Sequence, residues 1–397
     1  MPSQSSWNNR LSQRIAAVKS GQEGSIFLHM LAISKEVPDL ISLGRGDPDL
    51  PTPPHIVEAA QQALVEGKTK YTPPAGLDQL RTVIAHKLKQ ENGLTYDATR
   101  EIVVTTGTQE AISVIFQTLL NDGDEVLLPD PYYMAHRQAI NTAGGQPVTI
   151  RTRLEDNFVV QPDAVEAAIT PKTKAIILTS PSNPTGTVID RETAEAMCQI
   201  AQKHDLIVIS DELYEKLVFE GAQITSLAGL PGMWERTITV NGVSKVYNMT
   251  GMRVGYLAAP APFAEAALEL HHLTTICAPA VSQWAALAAL SGPQECVQET
   301  LATYIKRRKV MLDYLAEYGI PSNQPQGAFF VFADIRATGF SSLEFCEKLL
   351  REVQVQIFPG TQYGESGEGF VRMSFLAPVD DLKVALERFG QFYQAHT

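Results

Sequence analysis

The sequence predicts an α/β fold in which a mostly parallel sheet is flanked by helices. The main indication is a regular alternation, from Ile102 onward, of short apolar runs with helical patterns. The runs are almost continuously apolar, which is typical of strands buried on both faces of a parallel sheet. Strands that alternate with helices build such a sheet with helices on both sides. Six runs predict strands, at residues 102–106, 126–128, 175–179, 206–210, 237–240 and 256–259.

The segments outside this alternation predict a second, smaller α/β domain. The chain of 397 residues is long enough for more than one folding unit. Residues 1 to about 40 indicate an arm and one amphipathic helix, and the pattern changes again after about residue 285. We expect the arm and part of the small domain in 1–50, the large domain in 51–285 and the small C-terminal domain in 286–397. The elements predicted for the last part are helix 293–318, strand 328–332, helix 342–352, a strand that ends at 360, strand 370–375 and a final helix.

One helix of the large domain has a clear start and a clear buried face. Asp190 is suited to cap its N-terminus, because a short carboxylate side chain can accept a bond from a free backbone N–H. Ala194, Met197, Cys198 and Ala201 then follow at i, i+3, i+4 and i+7. This spacing puts the four side chains on one face, which we expect to pack against the sheet.

Composition excludes several classes of function. The formal net charge of −12 disfavours nucleic acid or an anionic membrane as the main partner. No stretch approaches the roughly 20 apolar residues of a membrane span, and the N-terminus lacks the pattern of a signal peptide. The four cysteines are scattered without metal-ligand spacing, which favours free thiols in a reducing cytoplasm. We therefore expect a cytoplasmic protein with no metal, membrane or nucleic-acid partner.

Polar and aromatic residues follow the predicted strands, at the edge of the sheet where open α/β folds bind ligands. A glycine turn opens a helix after the first strand, and its free N–H groups favour a phosphate. Tyrosines, an amide and a carboxylate follow the next three strands, and a lysine and an arginine follow the fifth. The residues, in chain order, are Gly107, Thr108, Gln109, Tyr133, Asn183, Asp211, Tyr214, Lys245 and Arg253.

Taken together, these residues match the separate requirements of pyridoxal phosphate. An aromatic ring can stack on a flat heterocycle, and a buried carboxylate can pair with a protonated ring nitrogen. A helix N-terminus and Arg253 can bind a phosphate, while an amide and a phenol can meet the ring oxygen. A lysine near the end of buried strands has a lowered pKa and a nucleophilic amine, so Lys245 can form a Schiff base.

Several longer motifs carry a resemblance to a known family. With these motifs the chain resembles, over nearly its whole length, the class I/II aminotransferases of fold type I, the large aspartate-aminotransferase-like family. The motifs are Ser-Lys-x-Tyr-x-Met-Thr-Gly-x-Arg-x-Gly at 244–255, Ser-Asn-Pro-Thr-Gly at 182–186, Asp-x-x-Tyr at 211–214, Tyr-Thr-Pro-Pro-Ala-Gly at 71–76 and Gly-Phe-Val-Arg-Met-Ser-Phe at 369–375.

The resemblance implies pyridoxal phosphate as the cofactor, a seven-stranded sheet in the large domain and a homodimer. It implies that Lys245 holds the cofactor and moves the proton at the substrate Cα, and that Arg372 grips the substrate carboxylate. The other implied roles are a partner for the ring nitrogen (Asp211), bonds to the ring oxygen (Tyr214, Asn183), ring stacking (Tyr133), phosphate binding (Gly107, Thr108, Gln109, Ser244, Arg253), a phosphate contact across the dimer (Tyr71) and closure of the substrate site (Gly46).

The sequence departs from the family pattern where acidic substrates are selected. Members selective for aspartate and glutamate place a second cation near the distal carboxylate of the substrate. The segment that would supply an arginine from the partner subunit, 273–279, contains none, and the position of an alternative lysine is Gln109. Arg45 is the compensating candidate, and a solvent-facing loop arginine is the equally matched alternative. Gly242 also stands where a phosphate-binding serine is frequent.

The sequence therefore predicts a homodimeric aminotransferase that exchanges an amino group between an L-amino acid and a 2-oxo acid. Its catalytic residues are Lys245, Asp211 and Tyr214, and its substrate-binding residues are Gly46, Asn183, Arg372 and Arg45. A β-eliminating lyase for a sulfur amino acid is the alternative within the same chemistry. A cofactor-binding regulator is the alternative from another class, although 40 N-terminal residues are too few for a winged helix.

Overall fold

The computed structural model describes residues 22–397, together with Ser12 and Ile15. The predicted arm at the N-terminus thus lies almost entirely outside the described residues. Twelve α-helices and twelve strands occupy residues 22–397. The helices are α1 Gln22–Ser34, α2 Pro54–Val65, α3 Asp78–Asn92, α4 Thr108–Leu119, α5 Met134–Thr142, α6 Pro162–Ala168, α7 Arg191–Lys203, α8 Ala261–Thr275, α9 Ala280–Ser291, α10 Glu295–Glu317, α11 Ser342–Val353 and α12 Val379–Gln394.

The strands form one large sheet and two small ones. The large sheet has seven strands in the order β2-β8-β7-β6-β5-β3-β4, and only β8 runs antiparallel to its neighbours. The predicted mostly parallel, seven-stranded α/β fold is confirmed. The strands are β1 Ile41–Ser42, β2 Ile102–Thr105, β3 Glu125–Asp130, β4 Gln146–Arg151, β5 Thr173–Thr179, β6 Ile207–Asp211, β7 Thr237–Gly242, β8 Gly255–Ala258, β9 Phe330–Asp334, β10 Val355–Gln356, β11 Phe358–Pro359 and β12 Phe370–Ser374.

For six of the seven strands, the bounds predicted from the apolar runs lie within two or three residues of the observed ones. Strand β4 was not predicted. It lies at the edge of the sheet beside β3, and most of its side chains are at least partly exposed. Pro147 is tolerated there, because an edge strand leaves one row of N–H groups unpaired. An exposed edge strand has no continuous apolar run, so the pattern used for the buried strands could not detect it.

Alternate residues of the buried strands pack on opposite faces of the sheet. In β2, Val103 packs in one apolar cluster with residues of α4, and Val104 packs in another with residues of α3 and α9. The capping prediction for α7 is confirmed, because the Asp190 side chain accepts a bond from the Thr193 N–H at 2.8 Å. Ala194, Met197, Cys198 and Ala201 of the same helix are all buried.

A second sheet, β11-β12-β9, is antiparallel and closes over the carboxyl edge of the first. Its strands are fully buried and rich in aromatic residues, such as Phe330, Phe332 and Phe370. Strand β1 pairs with β10, which brings the loop at Gly44 and Gly46 next to this sheet. The predicted division of the chain at residues 50 and 285 stays a prediction. Within the described residues no helix is long and apolar enough to cross a membrane.

Candidate active site

A cavity of about 930 Å³ lies at the carboxyl edge of the large sheet, beside the second sheet. Strands β5, β6 and β7 run parallel, so their last residues reach this one edge and project side chains into the same space. The structure brings twelve of the predicted site residues to the wall of the cavity. They are Arg45, Gly46, Thr108, Gln109, Tyr133, Asn183, Asp211, Tyr214, Ser244, Lys245, Arg253 and Arg372.

Lys245 follows β7 and points its amine into the cavity, where Nζ donates a hydrogen bond to the Gly46 carbonyl oxygen at 2.6 Å. The pKa of Lys245 is lowered to about 8, chiefly by burial. The charge of Asp47 opposes this shift, and the charges of Arg372 and Arg253 add to it. Since the described residues hold no carboxylate within ion-pair distance of Nζ, a substantial fraction of this amine is neutral near pH 8.

Asp211 ends β6 and is buried. One carboxylate oxygen accepts a bond from the Leu213 N–H at 3.2 Å, and the other lies 3.2 Å from His136 Nε2. His136 is almost fully buried on the first turn of α5, and its ring meets Tyr133 edge-on at 5.4 Å. The sequence reasoning missed His136. Its signal was the spacing, since a residue three positions after Tyr133 on a helix shares one face with the helix start.

The predicted phosphate turn does open a helix. Gly107 precedes α4 with a positive φ of 80°, and the guanidinium of Arg253 lies against its Cα, where no side chain would fit. Gly255, two residues after Arg253 in the motif, lies equally close to the backbone of Thr108. These two glycines let the arginine and the β8 strand approach the helix N-terminus. The result is a set of free N–H groups beside a fixed positive charge, which is suited to a phosphate.

Arg372 leaves β12 of the second sheet and is buried. Its guanidinium donates to the Gly44 carbonyl oxygen at 2.6 Å and to Asn183 Oδ1 at 3.2 Å. The rings of Phe330 and Tyr363 hold it from the sides, with centroids at 4.5 and 4.7 Å. A planar group held in this way presents its fork in a single direction, as binding of a carboxylate requires.

Two phenols complete the wall. Burial raises the pKa of Tyr214 well above its usual range and raises that of Tyr133 as well. Both therefore carry their proton at neutral pH, so each can donate an O–H bond to a negative oxygen. Tyr214 meets the ring of Phe329 edge-on at 5.5 Å, and this contact fixes its direction.

Other predicted residues lie at the rim or outside the cavity. Arg45, Gln109 and Arg253 are exposed in the single chain although they line the cavity. Tyr71 is 78% exposed and does not line it, and Gly107 lies behind Arg253. His271 of α8 lies away from the cavity and is fully buried, with Nδ1 2.9 Å from Glu110 Oε1 on α4.

The residues fit a pyridoxal phosphate with an amino acid substrate. Lys245, Arg253 and Arg372 face the cavity, and none of them is in an ion pair with a described residue. Cations left without counter-ions in a chain of net charge −12 indicate anionic ligands. A phosphate and a carboxylate supply such charges, and the buried carboxylate of Asp211 suits a protonated ring nitrogen. No group of described residues has the composition of a metal site.

Comparisons with known proteins agree with this geometry. The model of the family described as aminotransferase class I and II matches residues 38–389. The aromatic-amino-acid aminotransferase 2 of Thermococcus litoralis is 39% identical over 380 residues, which cover 95% of this chain and 97% of that protein. The aspartate aminotransferase of Pyrococcus abyssi is 41% identical over 358 residues, 90% of this chain and 92% of that protein. The solved aspartate aminotransferase of Thermus thermophilus with maleate has a TM-score of 0.90 at 38% identity, and the match covers 96% of this chain and 99% of that one.

The chain belongs to the class I and II aminotransferases. It is a pyridoxal-phosphate-dependent transaminase, which transfers an amino group between an amino acid and a 2-oxo acid. The predicted family, fold, activity and cofactor are confirmed. The relatives named above are aminotransferases, so the comparisons support amino-group transfer rather than the eliminating lyase or the regulator.

Proposed function

We propose that this aminotransferase works by a ping-pong exchange in which Lys245 is the catalytic base and acid. The observation that carries the proposal is the buried amine of Lys245, whose pKa is lowered to about 8 within a cavity of otherwise unpaired cations. A neutral amine can take a proton from the substrate Cα, and the ammonium so formed can return it to the cofactor.

The remaining residues bind and orient. Arg372 holds the α-carboxylate of the substrate, and its bond to Asn183 ties that grip to the β5 end of the large sheet. Arg253, Ser244 and the N–H groups of Thr108 and Gln109 hold the phosphate, whereas the predicted third donor, the Gly107 N–H, bonds the Thr105 carbonyl oxygen at 2.8 Å. Tyr133 stacks on the ring, and the phenol of Tyr214 and the amide of Asn183 donate to the ring oxygen.

Asp211 keeps a proton on the ring nitrogen, and His136 keeps Asp211 in place. When bound, the cofactor supplies a ring that accepts the electrons left at the substrate Cα. That ring accepts electrons best when its nitrogen is charged, so a buried carboxylate beside the nitrogen raises the rate. The 3.2 Å contact with His136 limits the directions in which this carboxylate can turn.

We propose amino donors of two kinds, aspartate or glutamate and the aromatic amino acids. Relatives of this chain are named for aspartate, for aromatic amino acids and for aspartate with prephenate. The cavity supports both kinds, since Phe27, Leu31 and Phe358 give it an apolar wall while the exposed Arg45 lines its rim. Arg45 forms no ion pair with a described residue and is the candidate for the distal carboxylate.

A screen of amino donors tests this proposal. Aspartate, glutamate, phenylalanine, tyrosine and alanine are each incubated with the enzyme, first alone and then with 2-oxoglutarate or pyruvate. Donors alone should convert the cofactor to its pyridoxamine form once per site, and turnover should begin when the oxo acid is added. Release of ammonia and pyruvate without an acceptor would instead identify an elimination.

The variant Arg45→Ala tests the distal contact. We expect kcat/KM for glutamate to fall about two- to fivefold, because a rim ion pair contributes about 0.5–1 kcal/mol. The value for alanine should stay unchanged, and Arg191→Ala, at an exposed position of α7, is the matched control. Equal losses for glutamate and alanine would return Arg45 to a solvent-facing role.

We further propose a cytoplasmic homodimer in which Tyr71 reaches the phosphate of the partner subunit. Its exposure in the single chain and the open rim at Arg253 and Gln109 support this arrangement. The four cysteines are free thiols, in keeping with a reducing compartment.

Mixed dimers of Tyr71→Ala and Lys245→Ala chains test the contact of Tyr71 across the interface. If Tyr71 acts across the interface, one site of each mixed dimer is intact, and activity returns on mixing. If it acts within its own chain, no activity returns.

A further inference from the structure

Behind the cavity, on the other face of the sheet, lies a buried polar cluster that the proposed chemistry does not use. We call it the back network, and it comprises Lys87, Asn92, Glu212, Glu215, Ser226 and Asn241. Glu212 follows Asp211 directly in the chain, and neighbouring residues of an extended segment point to opposite faces. Asp211 therefore faces the cavity, whereas Glu212 faces helix α3.

Glu212 is 2% exposed and is held from three sides. Ser210 Oγ donates to one carboxyl oxygen at 2.8 Å, and Ser226 Oγ donates to the other at 2.8 Å. The amide of Asn92 approaches the second oxygen at 3.3 Å. The Glu212 backbone N–H donates to the Val240 carbonyl oxygen of β7 at 2.9 Å. This residue thus connects β6, β7, α3 and the loop at Ser226.

A chain of hydrogen bonds continues from Glu212 to the strand that leads to Lys245. Asn92 donates to Ser226 Oγ at 2.8 Å and to Glu215 at 2.7 Å. Asn241 donates to the other oxygen of Glu215 at 2.7 Å, and its own carbonyl oxygen accepts the Gly242 N–H at 2.7 Å. Gly242 ends β7 three residues before Lys245. The chain therefore joins the strand ends that carry Asp211 and Lys245.

The charges of the cluster single out Glu212. Lys87 pairs with Glu215, and Lys216 pairs with Glu91 at 2.8 Å. Glu212 alone has no cation within ion-pair distance among the described residues, although it is buried. A buried carboxyl group without a counter-charge costs stability unless its hydrogen bonds compensate. An apolar residue here would leave the Ser210 and Ser226 hydroxyl groups without their acceptor, so the carboxyl group holds these side chains in place.

We propose that Glu212 is a positioning residue for amino transfer. From the back face of the sheet it fixes the end of β6, which orients Asp211, and through Asn92, Glu215 and Asn241 it fixes the end of β7, which orients Lys245. This inference rests on the roles proposed above for Lys245 and Asp211. Glu212 touches neither substrate nor cofactor and acts through these two residues.

The test uses the full-length holoenzyme and reads the ionisation of Lys245. The visible absorbance of the bound cofactor is titrated with pH, and its midpoint reports protonation of the Lys245 nitrogen. The cavity buries this nitrogen, and burial disfavours its charged form, so loosening of its strand end admits water and raises the midpoint. We expect Glu212→Ala to raise the midpoint by at least half a unit and to lower kcat about tenfold with little change in KM.

Glu212→Gln provides the rescue, because an amide can keep the bonds to both serines. We expect its midpoint to be unchanged and its kcat to stay within twofold of the wild-type value. Asp334→Ala is the matched control, since Asp334 is a buried carboxylate in β9 that bonds Arg336. It should lower the melting temperature without moving the midpoint. If Glu212→Ala behaves like this control, its role is structural only and the proposal is overturned.

Two further outcomes are separated by the design. If Glu212→Ala does not fold, Ser226→Ala removes one bond of the same carboxyl group and should raise the midpoint by a smaller amount. No shift in Ser226→Ala would then overturn the proposal. Failure of the proposed function has a different signature, namely a wild-type absorbance that persists when Lys245 is replaced.

Discussion

The carboxyl edge of the central sheet has two polar faces whose charges are arranged differently. On the cavity face, Lys245, Arg253 and Arg372 have no carboxylate partner among the described residues. On the opposite face, Lys87 bonds both Glu215 and Asn92, and nearly every donor of the back network meets an acceptor. Both faces are built from the same strand ends, since Asp211 and Glu212 are adjacent residues.

This difference indicates which face binds ligands. A charged group whose hydrogen bonds are all made within the protein contributes to stability or to positioning. A charged group without a counter-ion in the protein is instead suited to bind a ligand of opposite charge. Lys245 and Lys87 give the clearest comparison of the two faces, because both are lysines near the same sheet edge. Burial lowers the pKa of Lys245, and the charges of two arginines add to the shift.

Replacement of Lys245 by Ala should have the largest effect on activity. We expect amino transfer to fall at least ~10²–10⁴-fold, as is typical when a general acid–base is removed. The visible absorbance of bound cofactor should also disappear, and the melting temperature should change little. Lys87→Ala should instead lower stability, by roughly 3–5 kcal/mol, because Glu215 then loses its buried cation. Substantial turnover by Lys245→Ala would remove the distinction between the two faces.

Asp211→Ala should have the next largest effect, with cofactor still partly bound. The ring nitrogen loses the carboxylate that keeps it protonated, so we expect a rate loss of roughly 10²-fold. The comparison with Glu212→Ala is direct, since the two carboxylates are neighbours on opposite faces. Measured kcat values for the two variants should differ about tenfold. Near wild-type activity in Asp211→Ala would contradict the role proposed for it.

Arg372→Lys should affect substrate binding through the second sheet. Lysine keeps the charge but cannot form the planar two-bond fork, so kcat/KM should fall roughly 10–100-fold. The loss should be similar for aspartate and phenylalanine, because both carry the same α-carboxylate. Arg336→Lys, at an arginine near β9 that bonds Asp334, is the matched control and should leave kcat/KM unchanged. A fall in kcat/KM confined to one substrate would show that Arg372 contacts the substrate side chain rather than the α-carboxylate.

The sequence predicts the cavity face far better than the back face. Motif residues such as Lys245, Asp211 and Arg372 carry chemistry that only a few residue types can perform, so their identity and spacing are informative. The edge strand β4 escapes prediction because it lacks a continuous apolar run. His136 escapes because its spacing after Tyr133 indicates only a shared helix face, whereas its contact with Asp211 depends on where α5 lies relative to the end of β6.

The back network is invisible in the sequence for a related reason. Lys87, Asn92 and Glu91 have the composition of an exposed helix end, and charged residues are rarely buried. Lys87 and Asn92 meet Glu215, and Asn92 approaches Glu212, only because α3 packs behind the carboxyl ends of β6 and β7. The burial of His271 against Glu110 has the same origin, since two helices distant in sequence pack together. Long-range packing of this kind is fixed by the fold and not by the spacing of residues.

Glu212→Gln should have the smallest effect on activity and a distinct effect on stability. Burial is the main cause that raises the pKa of Glu212 from 4.5 to about 7; nearby Glu215 raises it and Lys87 opposes the shift. Between these two pH values the folded chain binds a proton that the unfolded chain has released, so this group's contribution to stability falls as pH rises. Glutamine cannot titrate and has no such loss. The free energy of unfolding of Glu212→Gln relative to wild type should therefore rise by roughly 3 kcal/mol from pH 4 to pH 8. Urea denaturation of both holoenzymes at the two pH values measures it, and a difference that does not change with pH would show that Glu212 stays ionised in the fold.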